Sequence, residues 1–246
     1  MKLQRLYSYV RQALDDYHMI EAGDRIAIGI SGGKDSLTLL YAMAGLRRFY
    51  PVPFEICAVT VDLGFREFDL SEIKKLCEHL QVEYHVVQTQ ISQIVFDERK
   101  EKSPCSLCAK MRKGALNDYL KTIGYNKAAY AHHMDDMIET MIMSLIYEGR
   151  FYSFPPVTNL TRSEITVIRP LMYVPEADVI GFQNKYELPV VKNPCPADSI
   201  THREYVKQIV KQLNHENPGV KKRLFHAIVN GNIEGWNNYG EIKSIL

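Results

Sequence analysis

The stretch RIAIGISGGKDSLTLL, residues 25–40, decides the fold. It reads as an apolar strand, a glycine turn carrying one lysine, and a helix. That order places helix N–H groups and the positive end of the helix dipole at the turn, the arrangement that holds an anion. Gly32 and Gly33 permit positive φ and close backbone approach. Lys34 adds a point charge, and Ser31 and Ser36 add hydroxyl donors. The loop is not the G-x-x-x-x-G-K-S/T loop of the nucleotide hydrolases. Only three residues separate Gly29 from Gly33, and Asp35 stands where a magnesium-binding hydroxyl would be required. The plain alternative is a tight strand-to-helix turn with an incidental lysine.

Outward from this stretch, strands and helices alternate. Strands are expected at 25–30, 54–62, 83–89, 127–133 and 166–171. Helices are expected at 3–20, 35–49, 69–80, 108–124, 135–147, 175–186 and 201–213. The expected class is α/β, a parallel Rossmann-like sheet with helices on both faces and a small helical C-terminal appendage. A soft boundary divides residues 1–174 from a helical region, 175–246. The 246 residues are 46% apolar, enough for a sizeable core, and the net charge of +1 advertises no global field for nucleic acid. The N-terminal segment reads as an amphipathic helix rather than a secretory signal, and no apolar run approaches a membrane span. A cytoplasmic protein with reduced cysteines is expected.

In parallel sheets, ligands lie beyond the carboxyl ends of the strands. Those ends carry Ser31 to Lys34, Asp62, Thr89 and His132 to Asp136. The second cluster, AHHMDDMIET (131–140), holds two histidines, two aspartates and Glu139 within ten residues. One aspartate could merely cap a helix. Beside bound phosphates, Asp135 and Asp136 are natural magnesium ligands. A third cluster, SPCSLCAKMRKG (103–114), sets Cys105 and Cys108 at metal or redox spacing just before a helix, and NPCPAD (193–198) adds Cys195. Cys57 and Cys77 read as core fillers. Zinc lacking a fourth ligand, a three-cysteine iron–sulfur cluster, a dithiol pair and ordinary loop thiols all remain open on spacing alone.

SGGKDS together with HHMDDMIET resembles the PP-loop family of adenylating enzymes, whose fold is like that of the N-type ATP pyrophosphatases. The likeness covers residues 25–175. It implies that the loop (Ser31, Gly32, Gly33, Lys34, Asp35, Ser36) grips the β- and γ-phosphates of ATP while the α-phosphorus is attacked. CSLC with the following basic residues, IRPL (168–171) and a lone cysteine before the tail helix resemble the TtcA-type tRNA 2-thiocytidine synthetases over residues 5–228. That resemblance implies a 4Fe-4S cluster held by Cys105, Cys108 and Cys195, together with ATP and Mg2+. The implied reaction adenylates C2 of a tRNA cytidine, and sulfur then displaces AMP. Lys34, Asp35, Asp135 and Asp136 are the implied catalytic residues, with Asp62 and His132 as nucleotide contacts. The implied partners are tRNA, a sulfur donor such as a cysteine desulfurase, and a second copy of the chain. One departure from the family is Asp198, where members often carry another cysteine.

Local cations must supply RNA contact. KMRK (110–113), a stripe of Arg203, Lys207 and Lys211, and KKR (221–223) are the expected patches, against the plain reading of solvated helix faces. Two other functions compete. A lysidine synthetase would need no cysteines, and a non-catalytic nucleotide or iron–sulfur sensor would release no pyrophosphate.

Overall fold

The structure, a computed structural model, describes residues 1–65, 68–99, 104–191, 194, 195, 202–231, 233 and 236. Ser103 of the first cysteine motif and Asn193, Pro196, Ala197 and Asp198 of the second lie outside the described residues. Among the described residues the strands are β1 (Arg25–Gly29), β2 (Glu55–Asp62), β3 (Glu83–Gln88), β4 (Lys127–Ala129), β5 (Val157–Leu160) and β6 (Ile165–Ile168). They form one sheet in the order β3-β2-β1-β4-β6-β5. All neighbours run parallel except β5 against β6. From β1 the chain winds outward through β2 to β3, then returns to lay β4 on the other side of β1. The gap between β1 and β4 is therefore a topological switch point, where such sheets open a crevice.

The central strands are buried on both faces, which is why they read as apolar runs. Their alternating side chains feed two cores. Ile26, Ile28, Ile56 and Ala58 join the core beneath α1 (Leu3–Asp16), α2 (Lys34–Leu46) and α3 (Ser71–His79). Ala27, Cys57, Val59 and Val61 join the core beneath α4 (Pro104–Thr122), with Leu116 and Leu120. Cys57 and Cys77 are buried, and burial pushes both thiols up, Cys57 to about 12 and Cys77 to about 11, so both are inert fillers. Beyond α5 (Met134–Met143), helices α6 (Glu176–Tyr186), α7 (His202–Glu216) and α8 (Val220–Asn230) set Phe182, Val206, Val210, Phe225 and Ile228 into the first core. Trp236 is fully buried and meets Tyr17 edge-on at 6.1 Å.

Several expected boundaries moved. Helix α4 runs Pro104–Thr122, so Cys105 lies inside the helix expected to start at Cys108. The expected strand at 166–171 closes at Ile168, and its antiparallel partner β5 was not anticipated. Neither was α8. The helix expected at 135–147 ends at Met143 and continues as a π-helical turn, Ser144–Glu148, stopped by Gly149 at φ +64. Among the described residues, no helix is long and apolar enough to cross a membrane.

Candidate functional site

The glycine loop leaves β1 and enters α2. Gly32 has φ +83, and a Cβ there would stand 3.3 Å from Val191 Cβ. Its carbonyl accepts the Val191 N–H at 3.0 Å, so the segment after α6 backs the loop. Gly33 has φ −79 and serves as the N-cap of α2. Only Gly32 uses the left-handed freedom expected of both. Inside the loop, Ser36 Oγ donates to the Gly33 carbonyl at 2.9 Å, and the Gly33 N–H donates to Ser31 Oγ at 3.3 Å. These bonds hold the turn open toward the first-turn amides of α2, which have no intrahelical acceptor. Lys34 Nζ sits 3.2 Å from Asp35 Oδ1 and 3.3 Å from Glu176 Oε1.

The second cluster is built on a reciprocal helix cap. The His133 N–H donates to Asp136 Oδ2 at 3.0 Å, and the Asp136 N–H donates to His133 Nδ1 at 3.3 Å. An accepting Nδ1 leaves the ring proton on Nε2, which lies 3.6 Å from Asp35 Oδ1. His133 thus bridges the two clusters. Asp136 Oδ1 and Glu139 Oε2 lie 3.4 and 3.3 Å from Arg203 Nη1. Burial, then Asp136, raises the Glu139 carboxyl above its ordinary range. Asp135 turns elsewhere: it is buried, accepts the Glu176 N–H at 2.7 Å and pairs with Lys221 Nζ at 2.5 Å.

His132 stacks on Phe154 with ring centroids 4.4 Å apart. Burial, helped by Arg169, lowers its pKa to about 3, so the ring is neutral. Arg169 of the IRPL motif is itself buried and pushed down to about 10, still a cation at neutral pH. It donates to the Pro155 carbonyl and to Thr158 Oγ1 and lies over the Phe154 ring.

A cavity of about 360 Å³ opens at the switch point. Ser31, Asp35 and Ser36 line it from the glycine loop, and His132 and Asp136 from the second cluster. Val61, Leu63, Phe65 and Phe68 form an apolar wall, and Arg112 and Lys113 of α4 close the far side with Pro194. Of the other predicted residues, Gly32, Gly33, Lys34, Asp62, Asp135 and the three cysteines Cys105, Cys108 and Cys195 are outside the lining. Asp62 Oδ1 instead accepts the Gly64 N–H at 2.9 Å, bracing a turn between two lining residues. Cys105, Cys108 and Arg112 share one stripe of α4 by their i, i+3, i+7 spacing. Burial raises the Cys108 thiol; Arg112 opposes this, while Cys195 and Cys105 add to it. Cys105 and Cys195 are therefore each within electrostatic reach of Cys108. Among the described residues, no three His, Cys, Asp or Glu side chains are already gathered at metal-holding distance.

A family model described as "PP-loop domain" matches residues 4–213. The chain belongs to the PP-loop family. Among curated relatives, a tRNA-cytidine(32) 2-sulfurtransferase of Geobacter sulfurreducens is 35% identical over 95% of this chain and 91% of its own length. Another from Geotalea uraniireducens is 39% identical over 92% and 91%. A solved U34-tRNA thiolase of Methanococcus maripaludis, titled with its 4Fe-4S cluster, superposes with a TM-score of 0.72 at 24% identity, covering 89% of this chain and 76% of that one. That likeness shows the fold.

Sequence reading missed the partners that hold the PP-loop in place. Glu176 opens α6 and touches Lys34 and Lys207, and its carboxyl is lowered by those cations against a larger opposing effect of burial. The expected basic stripe is divided. Arg203 and Lys207 face the site's own acids, and only Lys211 is exposed. Lys221 of the KKR patch is likewise taken by Asp135. An acid directly after Pro175 at a helix start was the one available signal for Glu176.

Proposed function

We propose that this chain is an ATP-dependent tRNA sulfurtransferase that converts cytidine to 2-thiocytidine, at position 32 as the names of its relatives specify. One observation carries the reading: a single cavity runs from the loop that suits phosphates to Arg112, which shares its stripe of α4 with Cys105 and Cys108, and to Pro194, the chain neighbour of Cys195. Two chemical events at one carbon need that continuity.

The target's O2 attacks the α-phosphorus of ATP, the α–β anhydride breaks, and pyrophosphate leaves. Sulfur at the oxidation level of sulfide then attacks C2, the C2–O bond breaks, and AMP leaves with the oxygen. Ser31, Ser36 and the first-turn amides of α2 bind the β- and γ-phosphates, and Lys34 moves from Glu176 to neutralise the charge gathering on pyrophosphate. Asp35 and Asp136, both in the cavity lining, are assigned to magnesium. The neutral His132, buried with an unpartnered Nδ1, supports the base without adding charge beside Arg169. The wall of Val61, Leu63, Phe65 and Phe68 suits adenine.

Cys105 and Cys195, each within reach of Cys108, and Arg112 beside it form a donor set chemically suited to a thiolate-held iron–sulfur cluster. Bound there through Cys105, Cys108 and Cys195, a 4Fe-4S cluster would supply an open coordination position for incoming sulfur. A cysteine desulfurase is the assigned class of donor, the cytoplasm the assigned compartment, and a homodimer the assigned assembly.

The test incubates anaerobically purified protein with tRNA, ATP, Mg2+ and sulfide, then digests the tRNA to nucleosides for mass spectrometry. The expected result is 2-thiocytidine with stoichiometric pyrophosphate, and loss of both bound iron and 2-thiocytidine in Cys195→Ala. Lysidine, or product formed at full rate by Cys195→Ala, would overturn the reading.

A further inference from the structure

We propose that an exposed aromatic platform at the cavity rim stacks the unpaired bases that flank the target nucleotide. The inference rests on the tRNA reading above and adds a binding surface to it. Its members are Tyr147, Phe151, His202 and Tyr205. Phe151 is 68% exposed, Tyr205 57% and Tyr147 45%, high values for such large rings. The Tyr147 and His202 rings lie 4.4 Å apart. Tyr205 follows His202 by three residues on α7 and so shares its face. The π-helical turn after α5 and the left-handed Gly149 carry Tyr147 and Phe151 outward.

Two short connections tie this platform to the cavity. Arg203, next to His202, reaches the cavity-lining Asp136 at 3.4 Å. Phe154, three residues beyond Phe151, stacks on the cavity-lining His132. The platform is thus joined to the cavity lining through the chain neighbours of two of its rings. Arg150 lies over the Tyr152 ring at 4.8 Å and pairs with Glu148 at 2.6 Å, placing a guanidinium on the same segment.

The chemistry favours nucleobases. Attack on a base at C2 requires that base to leave its stack, and its neighbours then lose a stacking face. Unpaired RNA bases regain one on aromatic rings and Arg planes. Tyr147, His202 and Tyr205 offer rings with polar edges and Phe151 a bare π face, with Arg150 on the same segment.

The experiment measures binding of an RNA hairpin with a seven-nucleotide loop, and of a duplex of equal length, by fluorescence anisotropy over a salt series. Tyr147→Ser and Phe151→Ser should each weaken hairpin binding about tenfold, as for one stacked base, and leave duplex binding unchanged. The salt slope should stay the same, since no cation is removed. Phe151→Tyr should bind like wild type, and Phe151→Leu, which keeps apolar bulk but lacks a π face, should bind like Phe151→Ser. Wild-type hairpin affinity in the Leu and Ser variants would overturn the platform and leave the sulfurtransferase reading standing. Loss of self-association in those variants, with RNA affinity intact, would reassign the patch to a second copy of the chain. Wild-type protein that binds no tRNA would overturn both readings.

Discussion

At the scale of single residues, the two loop glycines carry different constraints. Gly32 needs its positive φ, and an added methyl would press on Val191. Gly32→Ala should therefore cost about 1–2 kcal/mol from the left-handed backbone alone, read as a lower urea midpoint. Gly33, at φ −79 with only Ser31 Oγ at 3.4 Å from the added carbon, has room. Gly33→Ala should unfold like wild type, and any loss should be confined to ATP affinity. Equal destabilisation of both variants would contradict the geometry. SGGKDS made the glycine pair legible. Which glycine carries the strained angle was not, because that depends on how the chain after α6 backs the loop.

At the scale of elements, α5 sorts two adjacent aspartates into different work. Asp136 closes the cap with His133 and faces the cavity, while Asp135 anchors α6 and α8 through Glu176 N–H and Lys221. Lys221→Ala leaves a buried carboxylate without its cation. A loss of about 2 kcal/mol is expected, below the range for fully buried pairs because Lys221 is partly exposed. Asp135→Asn in that background should recover part of the loss, as a double-mutant cycle would register. Asp136→Asn should instead abolish 2-thiocytidine formation with a smaller effect on stability. The reverse pattern would exchange their roles. In the sequence the pair reads as one cluster, since neighbours on a helix point about 100° apart and only the packing of α6 and α8 says which direction is the site. The cysteine pair shows the same limit. Its spacing was visible, but only the longer helix, Pro104–Thr122, aligns Cys105 as well as Cys108 with Arg112.

For the whole molecule, the buried histidine sets an acid limit. Unfolded, His132 titrates near its ordinary 6.5; folded, burial and Arg169 lower it to about 3. Below about pH 6.5 the unfolded chain takes up a proton that the folded chain refuses. Stability therefore falls progressively between about pH 6.5 and 3, and this group contributes no slope above that window. His132→Asn should flatten the acid limb of a urea-midpoint profile, and an unchanged limb would show that the ring is not held neutral. By itself, the sequence determined the parallel α/β sheet, the anion-holding turn and the meeting of two motifs at one sheet edge. These follow from local apolar periodicity and from the rule that such sheets expose their strand ends on one side. Only the tertiary structure decided that Arg203, Lys207 and Lys221 serve the site's acids, that β5 and α8 exist, that Phe154 lies under His132, and that Asp136 rather than Asp135 faces the cavity. Each depends on contacts between segments distant in the chain, for which no local pattern codes, because a charge or an aromatic ring takes its role from what desolvates it and what stands opposite.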